Sequence, residues 1–282
     1  MARKRFSNKD FDVKNLPKTR KEQYKDLLQT EYRTLIMLGL TLLVFAMPIL
    51  FIYFAKDYSV SKIITSMISE ELSKEQGISS LFSTYLIYDL LETMTLVVLF
   101  IGLSGAYRVY RVLLWNEGLF FKEDFIQGIK TNSLRFSLNA IILGICIFGM
   151  DLSATILYNY STYSNIISGI VVLISLFIVI PLVLFNLAQE AIYNNSIINT
   201  LINSFKLTIS NYPKMLLFAL PFSSIYFIEN VPNRILILVI CVAIIVFLLP
   251  LYLAKSMTFS LDLFDKLLNN DLKEIKDKGL YK

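Results

Sequence analysis

Six apolar runs set the rhythm of the chain, at about 34–55, 81–105, 137–158, 166–188, 215–227 and 235–253. All but the fifth are close to the roughly twenty residues that a helix needs to cross a bilayer. Pro48, Pro181 and Pro221 fall inside these runs. Such prolines bend a membrane helix without breaking it, because neighbouring helices satisfy the freed carbonyls. The stretch from Lys56 to Ser80 between the first two runs is polar and reads as an outer segment.

Elsewhere the apolar positions recur every three or four residues. Gly102, Ser104, Gly105 and Ala106 close the second run, and Tyr107 and Tyr110 then alternate with Arg108 and Arg111 ahead of Trp115. That mixture marks a helix leaving hydrocarbon for a headgroup layer. Phe121, Phe125 and Ile129 follow at i, i+4 spacing, with Lys122, Glu123, Asp124, Gln127 and Lys130 on the other face. The period predicts a short helix from Phe121 to Asn132 lying on the membrane surface. Its exposed charges make Phe121, Lys122, Phe125, Ile129, Lys130 and Asn132 a candidate docking helix. Ile198, Leu201, Ile202, Phe205 and Ile209 predict a second amphipathic helix, and Leu261, Phe264 and Leu268 a third. The pattern as a whole predicts an all-α integral membrane protein. It has a basic head at 1–33, a six-helix domain at 34–254 and an amphipathic tail at 255–282.

Composition narrows the class. Apolar residues make up 55%, charged residues only 17%, and the mean hydropathy is +0.60, too apolar for a soluble domain. Of 27 Lys and Arg, only Lys56, Lys62, Lys74 and Arg234 fall on the outer side of a six-span arrangement. The positive-inside rule then places both termini in the cytoplasm, and no secretory signal pattern opens the chain. The net charge of +5 is crowded into the head, inner loops and tail. Its expected partner is therefore the anionic lipid of the inner leaflet, and not nucleic acid. Cys146 and Cys241 both lie in apolar runs, which fits neither a disulfide framework nor a zinc site. There is no His, so the commonest metal ligand and general base are missing. With no P-loop, H-E-x-x-H or G-x-S-x-G motif, the sequence predicts no enzyme, no cofactor and no metal.

The least expected residues are carboxylates inside apolar runs. Tyr85, Tyr88, Asp89 and Glu92 fall on one helical stripe, and Asp151 lies in the third run. At 1.5 Å per residue Asp89 and Glu92 sit ~12 Å and ~16 Å from the outer end of their run, within the hydrocarbon. With no basic neighbour in their run, they read as an ion or proton path. The alternative is that they hydrogen-bond between helices, or that one of them pairs with Arg234 at the outer mouth. A weak echo at an offset of 76 also sets Phe125, Ile129 and Lys130 against Leu201, Phe205 and Lys206. It fits either an internal repeat or chance likeness between two amphipathic helices.

The segment LPKTRKEQYKDLL, running into the first span with its Pro48, and the run GLSGAYRVYRVLLWNEGLFFKEDFIQGIKTN resemble the YesL-like family of small bacterial membrane proteins. The family's F-x-x-x-[FI]-K-x-N inner helix is matched by Phe125, Ile129, Lys130 and Asn132. The chain departs in having Ser104-Gly105 where many members show Gly-Pro, and in a longer outer loop after the first span. The resemblance implies a multi-pass protein of the bacterial cell membrane, without catalytic residues to carry over. Members are often encoded beside carbohydrate uptake systems. The implied role is an accessory or regulatory component of a transport system, partnered by a permease. A small transporter using the intramembrane carboxylates is the alternative, and oligomeric state is open.

Overall fold

The computed structural model describes residues 17–157, 162–215, 217–218, 221, 231, 233–269, 272 and 274–281. They include the helices α1 Arg20–Thr30, α2 Tyr32–Ile68, α3 Lys74–Leu114, α4 Phe121–Leu157, α5 Thr162–Ile174, α6 Ile180–Ile192, α7 Ile197–Ser210, α8 Arg234–Ala243 and α9 Leu249–Leu267. No strand occurs among the described residues. Side-chain oxygens start several of them where the sequence offers a cap. Thr19 accepts from the Glu22 N–H, Ser196 from Asn199, and Asn233 from Ile235 and Leu236. Ser73 and Gln76 close a reciprocal capping box on α3.

Five helical stretches among the described residues are long and apolar enough to cross a membrane: Tyr32–Ile68, Lys74–Leu114, Phe121–Met150, Gly169–Ile192 and Arg234–Leu267. Of the fifth apolar run, 215–227, only residues 215, 217, 218 and 221 are described. The rest of that expected span lies outside the described residues.

Two of the five stretches contain one π-helical turn each, Ser175–Val179 and Ile244–Leu248. Each ends just before a proline, Pro181 or Pro250. Proline has no N–H for the carbonyl four residues back, and the widened turn shifts the hydrogen bonds to i+5 pairs. Ile180 donates to Ser175 and Leu249 to Ile244.

Three expectations change. The segment 56–80 is largely helical, because α2 continues to Ile68 and α3 begins at Lys74. At 1.5 Å per residue these helices are about 55 and 60 Å long, well beyond a hydrocarbon layer of about 30 Å. Nor does Phe121–Asn132 form a separate surface helix. Helix α3 runs unbroken past Gly102 and Gly105 to Leu114, and α4 runs unbroken from Phe121 through Asn132 into the third apolar run. The physical reason is close packing along glycines. A Cβ on Gly128 would come within 2.7 Å of the Ser104 carbonyl oxygen, and one on Gly105 within 2.8 Å of the Phe125 ring. The face read as membrane-seeking is therefore spent on α3, and Phe125 is buried. Third, the boundary expected at 254/255 falls inside α9, whose continuation to Leu267 buries Met257, Leu261 and Phe264.

The antiparallel register of α2 and α3 is set by facing pairs: Met67 at Gly77, Lys56 at Asp89 and Phe45 at Gly102. On α4, Gly144 faces Thr93 and Asp124 faces Arg108. The apolar core gathers at the end of the bundle holding the α3–α4 turn. There Tyr107, Tyr110, Phe136, Phe185, Met257 and Phe264 are fully enclosed. Along α2 and α3, Val44, Met47, Phe51, Leu90 and Met94 stay exposed, as side chains facing lipid would.

Candidate functional site

Three sets of polar groups are buried where an apolar bundle would not place them at random. The first joins α2 to α3. Lys56 Nζ lies 2.5 Å from Asp89 Oδ1 and 3.1 Å from Glu92 Oε2. The three side chains are 11%, 1% and 9% exposed. Lys56 also stands 5.5 Å from the centre of the Tyr85 ring, and the Tyr88 hydroxyl shares a 2.9 Å hydrogen bond with Ser59. Tyr85, Tyr88, Asp89 and Glu92 thus form one stripe, as their spacing predicts, and it faces α2.

The expectation that these carboxylates lack a basic neighbour is overturned. The neighbour was missed because Lys56 falls one residue beyond the first apolar run, while the helix continues past it. Arg234 is engaged elsewhere, 3.0 Å from Asp57 and 3.1 Å from Ser61 Oγ, with Tyr58 beneath its guanidinium. Asp151 sits on α4, but its side chain lies outside the described residues. Burying charges is tolerable only where they are paired, and here one cation sits between two carboxylates.

The second set ties α4 to α6 and α7. Asn139 Nδ2 donates to both oxygens of Glu190 at 3.3 and 3.2 Å, and Asn186 Nδ2 donates to Asn139 Oδ1 at 2.7 Å and to Glu190 Oε1 at 3.3 Å. Ser204 bridges Asn186 and Gln189. Among the described residues, the hydrogen bonds to this carboxylate come from the Asn139 and Asn186 amides. The sequence reading passed over the set, although Asn139 and Asn186 inside apolar runs were the available signal.

The third set is the basic end itself. The guanidinium of Arg20, 4% exposed, grips Asp265 Oδ2 through Nε at 3.0 Å and Nη2 at 2.7 Å. The other Asp265 oxygen accepts from Asn269 Nδ2 at 3.0 Å and the Asp277 N–H at 3.2 Å. Arg20 also donates to the Lys278 carbonyl at 3.0 Å. Residues 274–281 are thereby laid against α1 and the α3–α4 turn. Gln23 donates to the Leu114 and Gly279 carbonyls, Asn116 to Gly279, and the Tyr281 N–H to the Pro17 carbonyl. Gly279 takes φ +85°, and a Cβ there would collide with the Leu114 carbonyl oxygen, so this crossing needs glycine. Lys278 pairs with Glu117 at 2.8 Å and caps the Trp115 ring at 4.0 Å, while Arg111 lies 5.2 Å from the same ring. The Tyr193 hydroxyl donates to Asn269 at 2.6 Å, and burial raises its pKa above the ordinary tyrosine range.

Of the candidate docking helix, Phe121 and Phe125 stack on each other at 6.1 Å, and Ile129 packs on the core. Lys122 and Lys130 are exposed and Asn132 half-buried. The structure therefore leaves Lys122 and Lys130 accessible, buries Phe125 and half-buries Phe121 and Ile129. Among the described residues no three His, Cys, Asp or Glu side chains gather in a metal-binding cluster. No protein-family model, curated protein or solved structure matches the chain.

Proposed function

We propose that this protein is an accessory or regulatory component of a membrane transport system in a bacterial cell membrane, its basic end on the cytoplasmic side and presented to a permease. The observation that carries the reading is the construction of that end. Residues 17–30, the α3–α4 turn, the last turns of α9 and residues 274–281 are tied into one surface by the buried Arg20–Asp265 pair, by the Asp277 N–H to Asp265, and by the Gln23 and Asn116 amides on the Gly279 carbonyl. Exposed lysines, Lys25, Lys122 and Lys130 among them, stand around it. A surface so firmly fixed at the ends of the apolar spans suits a protein contact. The excess of Lys and Arg at this end supports the cytoplasmic orientation. The likeness of residues 102–132 to the YesL-like family supports the transport association.

The expected result of Lys130→Glu is normal expression and melting, with several-fold less permease recovered when the full chain is purified from native membrane in mild detergent. An unchanged set of co-purifying proteins, where the wild type has a clear partner, overturns the docking role of α4.

One observation favours a second reading, an ion or proton path. The Lys56, Asp89 and Glu92 cluster carries two carboxylates against one ammonium, and such sets recur along ion pathways. In that case Asp89→Asn with Glu92→Gln should abolish ion or proton flux in proteoliposomes at unchanged expression. Absence of flux in the wild type overturns this reading.

A further inference from the structure

We infer that the cavity between the start of α2 and the α3–α4 turn is a binding site for the phosphate-bearing headgroup of a membrane phospholipid. The cavity has a volume of about 610 Å³, within the range of small-molecule sites. Met37, Leu113, Phe120 and Phe121 give it an apolar lining, and Arg33 from α2 and Lys122 from α4 give it two cations.

Among the described residues neither cation is paired with a carboxylate. Arg33 meets the hydroxyl and ring of its neighbour Tyr32. Lys122 has no carboxylate within ion-pair distance among the described residues. Three carboxylates also line the cavity; Glu117 is paired with Lys278 at 2.8 Å, and Glu31 accepts from the Thr34 hydroxyl at 2.8 Å. Glu123, also at the cavity, supplies an acceptor suited to headgroup hydroxyls or an ammonium.

The backbone adds to the two cations. The Phe120 N–H is taken by Asp124 Oδ2 at 3.0 Å. The next three N–H groups open a helix of 37 residues, where they have no intrahelical acceptor and carry the positive end of the helix dipole, partly offset by Glu123 and Asp124 in the first turn. Guanidinium, ammonium and helix start together match a phosphate.

The apolar side of the cavity decides between a lipid and a free phosphate. Met37 is 50% exposed and belongs to a helix long and apolar enough to cross a membrane. The cavity therefore joins a charged rim to a surface that lipid chains would cover, and an amphiphile uses both. The inference rests on reading this end as the membrane interface, and it is independent of the docking role.

The test uses the full chain, delipidated in detergent. It is titrated separately with dihexanoyl phosphatidylglycerol, with glycerol phosphate and with dihexanoylglycerol. Trp115, the sole tryptophan, adjoins the cavity-lining Asn116 and reports binding by fluorescence, while the melting temperature reports it independently. The expected result is saturable binding of the phospholipid, weakened about tenfold or more in Arg33→Gln with Lys122→Gln and unchanged in Lys130→Glu. Both replaced side chains are exposed, so the double variant should keep the wild-type melting temperature without lipid. Equal affinity in the double variant overturns the site. Equal affinity for dihexanoylglycerol overturns phosphate recognition, and equal affinity for glycerol phosphate overturns the lipid assignment. No saturable change in either signal overturns the inference altogether. Each of these readouts is separate from co-purification, so a failed docking role and a failed lipid site remain distinguishable.

Discussion

Gly39→Ala should lower the melting temperature by about 10 °C, an effect of a single methyl group. A Cβ at this position would stand 2.0 Å from the Val246 carbonyl oxygen, 2.7 Å from its carbon and 2.9 Å from its Cα. All three are backbone atoms in the π turn that precedes Pro250, so no rotamer change relieves the clash. Helix α2 and the last span must separate, loosening the contacts of Leu38 and Leu42, both wholly buried. Overpacking of this kind costs about 3 kcal/mol or more, which for a chain of this size corresponds to about 10 °C. Gly169→Ala is the internal comparison, since nothing lies within 4 Å of its added Cβ. In a helix interior it should be neutral or stabilise by up to about 1 kcal/mol. Thermal unfolding of both variants in the same detergent, followed by circular dichroism, decides. A Gly39→Ala melt within 2 °C of wild type, on the order of experimental error, would rule out the close approach of α2 to the π turn.

Lys56→Met should be the second large effect. It leaves Asp89 and Glu92, almost fully enclosed, facing each other without the ammonium that lies 2.5 and 3.1 Å from them. Breaking a buried ion pair from one side costs about 3–5 kcal/mol, because the remaining charge is stranded. The triple variant Lys56→Met, Asp89→Asn, Glu92→Gln removes every charge and retains amides that can bond within the bundle. It should recover more than half of the lost stability, a non-additivity characteristic of groups acting as one unit. If the triple variant is less stable than Lys56→Met alone, the cluster is held by something other than mutual charge compensation.

The stripe Tyr85, Tyr88, Asp89 and Glu92 was legible because helical spacing places these residues on one face whatever packs against them. The cation opposite was not, because hydropathy ends the first run at Ala55 while the backbone has no reason to stop there. Continuous hydrogen bonding carries α2 to Ile68, and Lys56 rides with it. The same physics hid the continuity of α4. Ser133 and Arg135 interrupt the apolar pattern between the amphipathic run and the third span, yet Gly128 and Gly144 allow one straight helix to lie against α3 on both sides of the interruption. The echo at an offset of 76 has a structural counterpart at one point. Helices α4 and α7 begin at Phe121 and Ile197, at that same offset, each after a short turn from a long helix. The Asn139, Asn186 and Glu190 set and the clasp of residues 274–281 join positions remote in sequence, and no local period reports such pairings.

The clasp between Arg20 and Asp265 spans 245 residues, with a consequence for biosynthesis. Arg20 emerges from the ribosome early, but the carboxylate that balances its buried charge is made only after every span described above. Until then the helix α1 has no finished surface on which to settle, and the long-range closure must wait for translation of the distal part. A nascent chain stalled before residue 265 would expose an unmatched arginine and the apolar faces of Leu27 and Leu114, a recognisable sign of incompleteness for quality-control proteases. Closure of this clasp is therefore a late event in synthesis, joining the first described helix to the last.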